Sequence, residues 1–306
     1  MKLGLIKYLV LVFIVTSCEN ENKEADFKIK PLISSSKLML LQQKGLKVVL
    51  IDVRPSDEYS NKHISNARNI WRPRMEDTTN YEYGGMMATK NQMEQLFSTL
   101  GIKYGDYLIL YDAKGQVDAA RLWWILHYYG YKKMSLLDGG IYDWERNSGA
   151  VRISKKEKFT KSKFKFEEKE NHDLYAKKEM INSKNVLVDC RSVSEFNGSQ
   201  QKNGSYREGH IANAIHADYQ ECINMEIGSA NFSKLKSKKK LLGIYTEKGI
   251  TKNDSIVIYC HSGVRSAHST FVLTQILGFK NVKNYDGSWI EWSYFDKLPI
   301  EKEKGT

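Results

Sequence analysis

Residues Asp254–Gly278, DSIVIYCHSGVRSAHSTFVLTQILG, decide how the rest of the chain is read. Ser255–Tyr259 is a short apolar, β-branched run of the kind a buried strand shows. Ala267, Phe271, Val272, Gln275 and Ile276 then recur at helical spacing, so the stretch predicts a strand followed by a helix. Cys260 falls in the turn between them. A thiol at the mouth of a helix faces unpaired backbone N–H groups and the positive end of the macrodipole, and Arg265 adds a full charge, so the thiolate is favoured. Gly263 permits a tight backbone path that aims several N–H groups at one anion. The loop reads as a nucleophile in an anion cradle. A lone cysteine at a strand end is more often structural, but Cys-His-Ser-Gly-Val-Arg between strand and helix reverses that preference.

This loop resembles the active loop of the rhodanese-like sulfurtransferases, which begins with cysteine and carries this Gly and Arg pattern before a helix. Tyr285–Trp292, YDGSWIEW, resembles the family's closing DG-x-W-x-x-W segment. Asp189-Cys190-Arg191 and Gly209–Ala214, GHIANA, resemble its D-x-R and GHI-x-x-A elements.

An internal repeat places these motifs twice. Val48–Arg54, VVLIDVR, matches Asn185–Arg191, NVLVDCR, and His63–Ala67, HISNA, matches His210–Ala214. Asp106–Asp112 matches Asp254–Cys260, and Leu137–Trp144 matches Tyr285–Trp292. Each copy alternates short apolar strands with helices, which predicts an α/β class: two tandem domains, each a mostly parallel sheet flanked by helices. The expected division is a signal peptide over 1–17, a tether over 18–31, a noncatalytic domain over 32–153, a linker over 154–170 and a catalytic domain over 171–306. Phe159, Phe164 and Phe166 suggest that the linker lies along a surface. The second copy carries about ten extra polar residues near Asn197–Tyr206, the composition of a surface loop.

The repeat also separates the roles of the halves. Asp112 stands where the second copy has Cys260, and Val117 where it has Arg265, so the first copy lacks both nucleophile and guanidinium. An aspartate at a helix start is explained by capping and by the dipole. The first half is therefore expected to be a noncatalytic partner that shapes the cleft, a division the resemblance to tandem sulfurtransferases also implies.

The chain has 306 residues, 41% of them apolar, enough for two packed cores. Its net charge of +11 suits small anionic substrates or an anionic membrane surface, although a run such as Lys234–Lys240 is first of all a solvated face. Neither zinc-like cysteine spacing nor an aromatic-basic ladder for nucleic acid is present. At the start, Lys2 and Lys7 precede the apolar run Tyr8–Val15, the pattern of a signal peptide. Val15-Thr16-Ser17-Cys18 resembles the bacterial lipobox, which implies a lipidated Cys18 and a membrane-anchored protein of the cell envelope. A plain secretory signal is the alternative. Export would put Cys190, Cys222 and Cys260 where disulfides form; Cys260 is expected to stay free, and a Cys190–Cys222 bond has little support.

What the resemblance implies is sulfur transfer through a covalent persulfide. Cys260 attacks the sulfane sulfur of a small anionic donor, thiosulfate ahead of 3-mercaptopyruvate, and a thiol or cyanide-like acceptor collects it. No cofactor or metal is needed. His261, Ser262, Gly263, Val264 and Arg265 are the expected substrate-binding loop, with the N–H groups of 261–265 holding the persulfide charge and Arg265 the donor. Asp189 and Arg191 either organise the site or form a salt-bridged loop support. His210 is expected to fix its loop. Glu195 stands where many tandem members have a donor-binding arginine, and a carboxylate there repels an anion unless it faces away. Two other readings stand beside this one: a cysteine-dependent phosphatase, disfavoured because the loop is Cys-x4-Arg rather than Cys-x5-Arg, and a noncatalytic binding lipoprotein.

Overall fold

A computed structural model describes residues 30–147, 149–152 and 158–302; Cys18 and the signal segment lie outside them. Two five-stranded parallel sheets form the centres of two domains. The first runs in the order Leu32–Ile33, Met134–Leu137, Tyr107–Tyr111, Val48–Asp52, Arg68–Asn69. The second repeats it as Tyr175–Ala176, Val282–Tyr285, Ile256–Tyr259, Val186–Asp189, Ile215–His216. Each domain adds a small antiparallel pair, His63–Ile64 with Val151–Arg152 and His210–Ile211 with Ile300–Glu301. The central strands are apolar because helices cover both faces, as a parallel sheet requires.

The motifs shared by the two halves turn out to be structural ties. In each half the Asp-x-Arg pair closes on itself, Asp52–Arg54 and Asp189–Arg191, both at 2.6 Å and buried. Each guanidinium also donates to the carbonyl preceding the His-Ile segment, Lys62 in one half and Gly209 in the other. The histidines of that segment bond a carbonyl through Nδ1, His63 to Tyr59 and His210 to Phe196, and stack on the same residue's ring. Asp189 and Arg191, expected among the substrate-binding residues, thus support their loop. Their twins do the same in a half with no nucleophile.

The helices that follow the two active-loop positions, Val117–Tyr128 and Val264–Phe271, pack on one another across the domain boundary. Ala119, Ala120 and Ala267 let the backbones approach, and Trp123 meets Phe271 edge-on at 5.0 Å. The helical spacing through Ile276 holds, with Val264–Phe271 α-helical and Val272–Ile276 a π-helical turn. There the Thr274 hydroxyl bonds the Thr270 carbonyl at 2.7 Å, a back-bond of the sort that loosens a helix. Beyond residue 157, Phe164 and Phe166 enter the core of the first domain, and the Phe166 N–H bonds Glu94.

Candidate active site

Cys260 follows the last residue of strand Ile256–Tyr259 and is 1% exposed. Gly263, at φ +73°, turns the chain into the helix that begins at Val264. Only glycine fits there: a Cβ would lie 2.6 Å from the Arg121 guanidinium and 2.7 Å from the Asp286 carbonyl. The loop is pinned from beneath by Ser288, whose hydroxyl oxygen accepts the N–H groups of Cys260 and Gly263. The Gly263 amide is therefore not available to a bound anion, contrary to the expectation that all of 261–265 would serve.

The twin loop shows which amides the cradle offers. Asp112 places one carboxylate oxygen on the N–H groups of Lys114 and Gln116 and the other on those of Asp118 and Ala119, at 2.9–3.1 Å. The matching amides after Cys260 belong to Ser262, Val264, Ser266 and Ala267, of which the last already donates to the Gly263 carbonyl at 3.3 Å. In one domain a carboxyl, raised to about 6 chiefly by burial, fills the cradle, and in the other a sulfur stands at its edge.

The thiol is held well below its ordinary range. Burial opposes this, but a hydrogen bond from Cys190, the charge of Arg265, and the hydroxyl and amide of Ser266 outweigh it. The Ser266 hydroxyl lies 3.4 Å from the sulfur. Ser266, Ser288 and Cys190 are site residues that the motifs do not mark: serines carry little signal alone, and Cys190 occupies the variable position of the Asp-x-Arg element. Cys190 and Cys222 are both free; Cys222 lies against the Tyr245 hydroxyl at 3.5 Å.

Arg265 departs from its expected role. Both of its terminal nitrogens are bound by Glu195, at 2.6 and 2.8 Å, in a fork-to-fork pair. Burial pushes the Glu195 carboxyl up, but Arg265 overrides it and brings it down to about 2. Glu195 thus does not confront the donor as a bare anion, nor does Arg265 offer it an uncompensated cation. The extra loop of the second domain brings a further cation near. Lys202 makes no ion pair among the described residues and is close enough to feel Arg265, Glu195 and Cys260. That the insertion occurs only in the half with the cysteine was the signal for it.

The remaining loop side chains serve packing. Ser262 meets Gly85 of the first domain, and Val264 packs with Val117 and Ile223. His261 sits under the insertion with Nε2 3.1 Å from the Asn203 carbonyl, and burial lowers its pKa to about 4. His268, also on the loop helix, is lowered to about 4 by burial too. Both rings are neutral at pH 7 when folded, whereas in the unfolded chain they protonate near 6.5. At these two sites the unfolded state binds more protons between those values, so their contribution to stability falls as pH drops from about 6.5 to about 4. Asp112 and Asp138, both raised to about 6 chiefly by burial, act in the opposite sense over part of that window. The histidine share is therefore read as a difference: from urea denaturation, the parent chain should lose up to about 1.4 kcal/mol per pH unit per histidine more than a His261→Asn, His268→Asn chain, and identical slopes would refute the assignment.

A family model for the rhodanese-like domain matches residues 35–147 and again 172–294. A Mycolicibacterium smegmatis protein named "Putative thiosulfate sulfurtransferase" is 33% identical over 84% of this chain and 93% of its own length. The "Sulfur carrier protein TtuD" of Thermus thermophilus is 29% identical over 80% of this chain and 87% of its own. Among solved structures, the Tum1 protein of Saccharomyces cerevisiae superposes with a TM-score of 0.77 at 21% identity, covering 90% of this chain and 99% of its own. SseA of Escherichia coli, described among 3-mercaptopyruvate sulfotransferases, gives 0.71 at 23% identity over 85% of this chain and 99% of its own. Twin sheets, twin loops and matches to both halves lead to one conclusion: the chain belongs to the rhodanese-like family and carries two copies of its domain.

Proposed function

We propose that the protein is a sulfurtransferase that takes the sulfane sulfur of thiosulfate, in preference to 3-mercaptopyruvate, onto Cys260 and passes it to a thiol or cyanide-like acceptor. The observation that carries this reading is the depressed Cys260 thiol at a cradle whose twin holds a carboxylate on four backbone amides. The thiolate attacks the outer sulfur of the donor, the S–S bond breaks, and sulfite leaves with the bonding pair. The charge then rests on the outer persulfide sulfur, where amides already aimed at an anion stabilise it without reorganising. The acceptor attacks that sulfur and the Cys260 thiolate is restored.

The Arg265–Glu195 pair counts against a phosphatase, in which the loop arginine has to clamp the phosphate. It also directs attention to Lys202 as the donor's cation. Lys202→Met should lower kcat/KM for thiosulfate roughly tenfold, mostly through KM, and weaken its salt dependence. Unchanged kinetics would remove Lys202 from the site.

The reading is tested by incubating the chain from residue 19 onward with either donor plus cyanide, following thiocyanate and intact mass. Gain of one sulfur atom on Cys260 with donor-dependent thiocyanate is expected. A folded protein that takes no sulfur from either donor sinks the stated substrates. The lipobox-like Val15–Cys18 supports a further proposal, anchoring in the cell envelope by a lipidated Cys18. Labelling with a radioactive fatty acid in bacteria should mark the full chain and not Cys18→Ser; equal labelling of both, or of neither, refutes it.

A further inference from the structure

Cys190 is placed to react with Cys260. Asp189 and Tyr259 are register partners on adjacent parallel strands, and the Cys190 N–H continues the ladder to the Tyr259 carbonyl at 3.0 Å. The two cysteines are thus neighbours one step further along. Val188, Cys190, Ile258 and Cys260 share one core cluster, so both thiols are on the same face of the sheet. Neighbouring parallel strands lie about 4.8 Å apart, within the Cα separation of a disulfide. The Cys190 S–H has two acceptors in reach, the Tyr259 carbonyl at 3.2 Å and the Cys260 sulfur. In the first domain the same two positions hold Val53 and Asp112. Where the position only has to fill the core, valine suffices; a thiol stands there in the half that has a nucleophile.

We propose that Cys190 is a resolving thiol for sulfur stranded on Cys260, an inference that rests on the persulfide reading above. Cys190 attacks the inner sulfur of the Cys260 persulfide. The Cys190–Cys260 S–S bond forms, the bond to the outer sulfur breaks, and the outer sulfur departs as hydrosulfide carrying the Cys190 proton. Two thiol sulfurs are oxidised to a disulfide and one sulfane sulfur is reduced to sulfide, so no external oxidant enters. The amides that held the persulfide charge also stabilise the departing anion. Burial pushes the Cys190 thiol well up, so it is protonated and attacks slowly. An acceptor that arrives promptly therefore wins, and only in its absence does the enzyme discharge sulfide and rest as a disulfide. A thiol reductant returns it to the active form.

The experiment loads the chain from residue 19 onward, in a Cys222→Ser background, with one equivalent of thiosulfate and no acceptor. Sulfite, sulfide and non-reduced intact mass are followed over time. The expected result is a burst of sulfite, then an equal amount of sulfide, and a final mass two hydrogens below the reduced chain. In Cys190→Ser and in Cys190→Val, the residue of the twin position, the persulfide mass should persist and no sulfide appear. A persulfide equally stable in the parent chain overturns the resolving role while leaving sulfur transfer intact. A parallel arm uses dipyridyl disulfide, which needs no sulfur donor. Two thiopyridones per parent chain and one per Cys190→Ser chain support the thiol pair even if thiosulfate fails, and one from each overturns it.

Discussion

Cys260→Ser should reduce donor-dependent thiocyanate formation to background, a loss of about 10^4-fold or more, because in the proposed reaction every step runs through the sulfur. A serine hydroxyl is far less acidic than a thiol, and the donors that lower the Cys260 pKa act on a group that serine does not offer. The same substitution should leave folding nearly untouched. The Ser266 and Cys190 donors can bond an oxygen as they bond the sulfur, so the change in stability should stay within about 1 kcal/mol. Sulfite release measured beside thiocyanate divides the outcomes: loss of both places the defect at the first attack, whereas sulfite without thiocyanate would mean another group accepts the sulfur. Retained turnover in a folded Cys260→Ser chain would refute persulfide chemistry at this position. A wild-type Cys260 with an ordinary thiol pKa, measured by alkylation against pH, would return weight to a binding role.

Much of this site could be read from residue order because its parts are local. The strand, the cysteine, the Gly263 turn and the helix are consecutive, and the repeat made Asp112 the visible counterpart of Cys260. What the sequence could not disclose depends on contacts between distant segments. Glu195 and Arg265 are 70 residues apart, and their identities allowed either repulsion of a donor or mutual neutralisation; the structure selects the second. Ser288 reaches the loop from the segment read for its Asp-Gly and tryptophans, and serves it with a hydroxyl that no motif marks. Cys190 sits inside the Asp-x-Arg element, where only the register of two strands shows that its side chain meets Cys260. For Asp189 and Arg191 the sequence left open whether they organise the site or support a loop; the geometry shows the support, a tie between strand end and His-Ile segment that recurs in the first half as Asp52 and Arg54.

Arg121→Met should be the most damaging substitution outside the domain that carries Cys260. Arg121 projects from helix Val117–Tyr128 across the domain boundary, with 2% of its side chain exposed, to the Asp286 carboxylate at 2.7 Å. It also donates to the carbonyls of Gly263, at 3.4 Å, and Gly85, at 3.1 Å. Asp286 has one further tie to the first domain, the Met87 N–H at 3.0 Å. Methionine fills much of the volume but leaves a buried carboxylate without its cation and weakens the support of two buried carbonyls. Breaking a buried pair in this way costs about 3–5 kcal/mol. Adding Asp286→Asn should recover a good part of the loss, since the orphaned charge is its larger share. A purely structural role would end there. Because the Gly263 carbonyl belongs to the turn that aims the cradle, the variant should also lose activity while still folded, by up to about 10^2-fold for a displacement near 1 Å. It should also raise the pH at which Cys260 alkylates. Arg121→Lys, which keeps the charge without the fork, should fall between the two. Urea denaturation gives the first quantity, and thiocyanate kinetics well below the unfolding midpoint give the second. A loss under about 1 kcal/mol with normal kinetics would show that the first domain does not hold the active loop, whereas both losses together would explain the retention of a half without a nucleophile: it supplies the charge that fixes the turn on which the cysteine of the other half depends.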